Sequence, residues 1–197
     1  MLPHCRPSAG FSLLELLLVV AVVATLVAIV LPSPQPGVYD QLRCTAQIVA
    51  TDLAYARSLA VANDSYYRIT FDLSENRYVL RHSGSNPALT QLPNSPFSSR
   101  DNPADQHTVD LDDLPRVGPT VRLAATATGD ATMQSVDDVE FGPLGQTTAA
   151  TPTTIWLAAG KGDHRKYITL KINPVTGMAD IGDLTDTEPL SGAEQVF

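Results

Sequence analysis

The hydrophobic pattern of this 197-residue chain changes character twice. From Phe11 to Leu31 it has no period: one Phe, seven Leu, six Val and one Ile, with alanines between them, leave only Ser12, Glu15 and Thr25 polar. Those apolar residues contribute roughly −4 to −9 kcal/mol to insertion in a bilayer, against about 2.5–3.5 kcal/mol for one carboxylate even at its centre. A single helix of this length suits a hydrocarbon core of ~30 Å. Pro32-Ser33-Pro34-Gln35-Pro36-Gly37 then interrupts the helix, because proline removes a backbone donor and disfavours α geometry in the residue before it. From Val38 the period becomes helical: Leu42, Ala46, Val49, Leu53, Ala56 and Ala60 form a stripe, with Asp40, Arg43, Gln47, Asp52 and Arg57 mostly off it. Asn63-Asp64-Ser65 is expected to end that helix, and the stripe to pack against the head.

From Tyr66 the period is two. Tyr66 to Asp72 and Arg77 to His82 alternate around Ile69, Phe71, Tyr78 and Leu80, and Ser74-Glu75-Asn76 supplies the turn of a hairpin. The stretch from Ser83 to Pro119 is poor in apolar periodicity, holds prolines at 87, 93, 96, 103, 115 and 119, and is expected to be a long loop, either the variable recognition surface or a disordered solvated insert. Strand signals resume at Thr120 to Ala125, Thr132 to Ser135, Val139 to Phe141, Thr154 to Ala158, Tyr167 to Ile172 and Met178 to Ile181. Glycine and proline turns at Gly142 to Gly145 and Asn173 to Gly177 space them closely, as in an antiparallel meander. The residues beyond Ile181 read as a polar tail.

Glu15 is the one acid in the greasy segment and lies one turn from its start, near a membrane surface, where a carboxylate asks for a cationic partner. If the chain is cut between Gly10 and Phe11, the new α-amino group lies four residues from Glu15, the spacing at which helical groups meet. Among stacked identical helices the amine can instead neutralise Glu15 of the adjacent subunit. A short leader ending in Gly10, then Phe11, then Glu15 as the fifth residue of an apolar helix, resembles the class III signal of type IV pilins and type II secretion pseudopilins. The resemblance implies that Gly10 is the last leader residue, Phe11 the N-methylated first residue of the mature chain, and Glu15 the assembly glutamate. Asp52-Leu53-Ala54-Tyr55-Ala56-Arg57-Ser58-Leu59-Ala60 is similar to the helix end of the GspH/FimT family of minor pilins and pseudopilins. So are Val139-Glu140-Phe141-Gly142-Pro143-Leu144-Gly145, Ile155-Trp156-Leu157 and Ile168-Thr169-Leu170-Lys171-Ile172, which resemble its head.

Charge narrows the partners. The net charge is −8; loss of Arg6 with the leader leaves 12 basic against 21 acidic residues, a balance that opposes binding of nucleic acid. Some FimT-like minor pilins are associated with DNA uptake, but here no Lys or Arg follows Lys171, while Asp180, Asp183, Asp186, Glu188 and Glu194 make the tail acidic. Of the two cysteines, Cys5 lies in the leader, so cleavage leaves Cys44 alone, expected as a small buried residue on the second helix.

Candidate chemistry is sparse. Gly160-Lys161-Gly162-Asp163 matches the short GxGD signature of intramembrane aspartyl proteases, but paired aspartates facing each other within membrane helices are missing, and the segment reads as a hairpin loop. Asp110-Leu111-Asp112-Asp113 lacks the glycine and distal glutamate of an EF-hand and reads as a solvated acidic loop. His82, His107 and His164 have no metal-ligand spacing, and no nucleophile elbow is present. No catalytic residue, metal or cofactor is expected.

The fold class is therefore α+β: a long N-terminal transmembrane helix packed on an antiparallel head of one or two sheets, pilin-like by resemblance. The expected organisation is a leader at 1–10, a transmembrane and assembly helix at 11–31, a linker and second helical part at 32–64, and a β-rich periplasmic head at 65–197 containing the loop 83–119. The resemblance implies a non-enzymatic minor pilin or pseudopilin in the inner membrane, single-pass, with a cytoplasmic N-terminus before processing. Its implied partners are the prepilin peptidase, other pilins or pseudopilins, an inner-membrane assembly platform and the membrane. The alternative is a signal-anchored extracytoplasmic binding module that does not polymerise.

Overall fold

A computed structural model describes residues 12–30, 37–93, 103–115, 120–130, 132–160 and 162–187. The chain divides into two units, 1–36 and 37–197, each considered by itself. The first holds α1 (Leu13–Val30), 18 residues whose backbone ladder opens with the Leu16 amide donating to the Ser12 carbonyl at 3.1 Å. The proline-rich break expected at 32–36 lies outside the described residues, as do the leader and the tail from 188 on.

The second unit begins with α2 (Val38–Ala62). Asp40 in its first turn faces the positive end of the helix dipole. Its end has a physical device: Asp64 takes φ 47°, the Ser65 amide donates to Ala60 O at 3.1 Å and the Asp64 amide to Val61 O at 3.4 Å. That pairing is the Schellman closure, with aspartate in the left-handed position that glycine usually fills. The buried face of α2 carries the expected stripe of Leu42, Ala46, Val49, Leu53, Ala56 and Ala60, widened by Thr45, Asp52 and Leu59. Cys44 departs from expectation: it is exposed on α2, because it lies beside this row and not on it.

Nine strands come after α2, namely β1 (Tyr67–Asp72), β2 (Arg77–His82), β3 (Gln106–Asp110), β4 (Val121–Thr128), β5 (Gln134–Ser135), β6 (Asp138–Phe141), β7 (Thr153–Ala159), β8 (Lys166–Ile172) and β9 (Ala179–Ile181), among the described residues. They build two antiparallel sheets, ordered β3-β2-β1-β6 and β5-β4-β7-β8-β9. The fold is thus α+β, an N-terminal helical part and a head of antiparallel sheets. Two expectations need correction. The segment 83–119 is not one loop, since β3 lies within it and adds an edge to the first sheet; residues 94–102 and 116–119 fall outside the described set. Nor do the strands form a continuous meander: the chain leaves the first sheet for β4 and β5, returns for β6 beside β1, and crosses back for β7.

One core joins α2 to both sheets. Tyr67, Ile69, Phe71, Tyr78, Leu80 and Phe141 point into it from the first sheet, and Val121, Leu123, Ile155, Leu157, Ile168 and Leu170 from the second. Each fully buried large side chain contributes about 1.5–3 kcal/mol relative to exposure. In β4 the register against β7 shifts between Leu123 and Ala125. Such a bulge re-aims the side chains beyond it. Val121 and Leu123 therefore enter the main core, whereas Ala125 and Ala127 join Trp156 in a small second cluster.

Candidate functional site

Of the three residues to which the sequence assigns roles, the structure describes one. Gly10 and Phe11 lie outside the described residues; Glu15 stands in the first turn of α1, exposed. A carboxylate there is favoured by the helix dipole, worth about 0.3–1 kcal/mol at an exposed site. Around it α1 is apolar on every side, with Leu13, Leu14, Leu16, Leu17 and Leu18 all exposed. A helix that is hydrophobic all round is stable only when something apolar surrounds it. Its 18 residues rise ~27 Å at ~1.5 Å per residue, and among the described residues no helix is long and apolar enough to cross a membrane.

The head's candidate chemistry resolves into structure. Gly160 to Asp163 falls in the connection from β7 to β8, where Gly162–His164 forms a single 3-10 turn, so the GxGD match is part of a hairpin. In the acidic segment, Asp110 Oδ1 accepts from the Asp112 amide at 2.8 Å, Asp112 Oδ1 accepts from Asn76 Nδ2 at 2.6 Å, and Leu111 is buried. These two carboxylates hold a turn together. His82 Nε2 shares a hydrogen bond with Ser65 Oγ at 2.7 Å and its ring meets Tyr67 edge-on. Among the described residues no group of three His, Cys, Asp or Glu side chains is placed to hold a metal ion.

Two groups that matter were read otherwise from sequence: Asp52, placed mostly off the α2 stripe, is in fact buried with it, and His107 was noted only as lacking metal-ligand spacing. Asp52 is only 6% exposed on α2, and the Tyr78 hydroxyl of β2 donates to its Oδ2 in a short hydrogen bond. Burial pushes the Asp52 carboxyl above its ordinary range, opposed by the Tyr78 hydrogen bond and by His107. His107, 3% exposed on β3, is held below the ordinary imidazole range by burial, with Asp52 acting the other way. Burial, followed by the neighbouring Asp52, drives the Tyr78 phenol far above its usual value. The signal for Asp52 was in the spacing: it lies on the row Thr45, Val49, Asp52, Ala56 and Leu59, which is buried throughout.

Arg57 does a different job further along α2. Its Nε donates to Thr176 O at 2.7 Å and to Gly145 O at 3.2 Å, tying both glycine turns to α2. Gly177 has φ 64°, and a Cβ there would collide with the Gly145 carbonyl, so this approach demands glycine. Beside the clamp lies an uncharged end of the head, where Leu144 is 86% and Val175 78% exposed.

Comparison with known proteins returns partial likenesses. The chain is similar to the type IV minor pilin FimU of Pseudomonas aeruginosa, with 20% identity over 80% of this chain and 95% of that one, at TM-score 0.44. It is also similar to the minor pseudopilin EpsH from the type 2 secretion system of Vibrio cholerae: one structure at 14% identity over 73% and 97%, TM-score 0.48, and another at 12% over 76% and 98%, TM-score 0.49. At these levels the likenesses carry no functional argument. No curated protein matches the chain. What does match, over residues 5–31 and so around Gly10, Phe11 and Glu15, is the family profile of the prokaryotic N-terminal methylation motif.

Proposed function

We propose that the chain is a minor pilin or pseudopilin, a structural subunit that works by assembly and not by catalysis. The observation that carries this reading is the methylation-motif match over residues 5–31, with Glu15 in the first turn of a helix that is apolar on all sides. A peptidase hydrolyses the Gly10–Phe11 peptide bond with water, and the amine released on Phe11 takes one methyl group from a methyl-donor cosubstrate, giving up a proton. The mature N-terminus is then a cation four residues from Glu15, within reach of its own carboxylate or of a neighbouring subunit's. The apolar segment 11–31 anchors the subunit in the inner membrane, with the head on the periplasmic side, until neighbouring helices surround α1 in the filament. An inner-membrane platform and other pilins or pseudopilins are its partners. The resemblance serves a type II secretion pseudopilus and a type IV pilus equally.

The intact mass of protein extracted from membranes containing a prepilin peptidase tests this. Loss of Met1 to Gly10 with one added methyl group is the expected result. A chain that keeps its leader, or begins elsewhere than Phe11, overturns the reading and leaves the non-polymerising anchored module.

A further inference from the structure

We propose that His107 makes β3 proton-responsive: beside the Asp52–Tyr78 bond that latches α2 to β2, β3 keeps its place on β2 while His107 is neutral and loosens when that imidazole is protonated. This response goes beyond the assembly role and does not depend on it.

The three residues come from three elements. Asp52 projects from the middle of α2, Tyr78 from β2 and His107 from β3, the edge strand of the first sheet, and all are buried in one core. The phenol hydroxyl of Tyr78 donates to Asp52 Oδ2, which fixes α2 to β2. His107 pairs with Leu80 across the β2–β3 ladder, beside Tyr78 paired with Val109, and its Nε2 is buried without a partner among the described residues. In the neutral ring with its proton on Nδ1, a bare Nε2 is only an unused acceptor. Protonation puts an N–H there with nothing among the described residues to receive it, and a positive charge in a site shielded from water, which is costly unless paired.

Asp52 is the compensating charge that acts on His107. Its attraction favours the protonated ring, but burial is the larger influence on His107, so the net direction is toward the neutral form. The other titratable groups acting on the pair are Tyr78 from β2 and, through Asp52, Tyr55 from α2, which in turn faces Tyr67 of β1. Neither phenol changes charge in the acid range. A folded-state value below the ordinary one means that the unfolded chain takes up the proton more readily. Stability from His107 is thus complete at neutral pH and is lost as pH falls through the imidazole range. Asp52 has the opposite sign, since its raised value makes the folded chain bind a proton more readily, and it returns stability only as pH falls below its folded value. β3 is the element set free, because it has a neighbour on one side only and a single hydrophobic side chain, Val109, in the core.

The test uses the full chain in nonionic detergent, with amide hydrogen exchange of β3 compared at about pH 7.5 and about pH 5.5 after correction for intrinsic exchange. In the native sequence, exchange across 106–110 accelerates at the lower pH, by up to about tenfold per unit of lowering at His107. His107→Gln, which is polar but does not titrate, abolishes the acceleration; Asp52→Asn, which removes the compensating charge, enlarges it. An acceleration that survives His107→Gln overturns the proposal, as does Asp52→Asn leaving it unchanged or the native chain showing none. Should His107→Gln fail to fold, NMR titration of the His107 ring in the native chain decides: a value below that of free imidazole supports the proposal, and one at or above it overturns it.

Discussion

Asn76 shows how much one side chain can organise. It sits at φ 52° in the turn between β1 and β2, a left-handed position that asparagine tolerates better than most residues. Its Nδ2 donates to Val121 O at 3.0 Å and to Asp112, and its Oδ1 accepts from the Leu123 amide at 2.9 Å. One buried amide thus pairs the first sheet's turn with β4 of the second as a short piece of strand would. Asn76→Ala leaves a buried carbonyl and a buried amide without partners and keeps a strained φ, so chemical denaturation should record a loss of about 2–4 kcal/mol. Tyr78→Phe probes the buried carboxylate. It removes the hydrogen bond that lowers Asp52, so that group's value rises further, and the variant should lose about 1–3 kcal/mol near neutrality. Because the folded chain then binds the proton still more readily, part of that loss should return on acidification, visible as a smaller difference from the native chain in unfolding midpoints at lower pH. Sequence indicated that Asn76 would lie in a turn, since Ser74-Glu75-Asn76 separates two alternating runs. It held no hint of what the amide would meet across 45 residues of chain.

At the scale of elements, α2 is the spine of the head. Its apolar row was legible because helical spacing alone determines which side chains share a face. What holds the distal turns to it was not, because Arg57 reads as a solvated charge off that row. Its guanidinium instead binds two orphan carbonyls, at Gly145 and Thr176. Arg57→Ala should cost about 1.5–3 kcal/mol, the range for hydrogen bonds from a charged donor, and should speed hydrogen exchange first in 142–147 and 173–178. Unfolding midpoints and exchange maps check the two parts separately. β3 escaped sequence reading for a related reason. Gln106-His107-Thr108-Val109-Asp110 has one hydrophobic residue, and its alternation appears only when His107 is counted as an inward position. β7, by contrast, was expected at Thr154 to Ala158 and runs from Thr153 to Ala159, buried at every residue between its neighbours β4 and β8.

At the scale of the molecule, the proposed assembly role belongs to the N-terminal unit and folding of the head to the other. The two should separate under mutation. Glu15→Ala should leave the head's unfolding midpoint within about 0.5 kcal/mol of the native chain, as the substitution of an exposed side chain does. It should nevertheless lower recovery of the subunit in sheared filament or pseudopilus fractions, measured by immunoblot against membrane-retained protein; undiminished recovery would remove the assembly role from Glu15. The sequence by itself determined the greasy segment, its single acid, the helical row of α2 and most of the strands, because these depend on local periodicity and on the cost of placing charge in an apolar medium. Only tertiary structure decided that the strands divide between two sheets, that β6 returns to the first, and that Asp52 and His107 are both buried. The reason is physical: a residue's period fixes which way it points, but its partner is set by long-range packing, and 55 positions of chain separate Asp52 from His107.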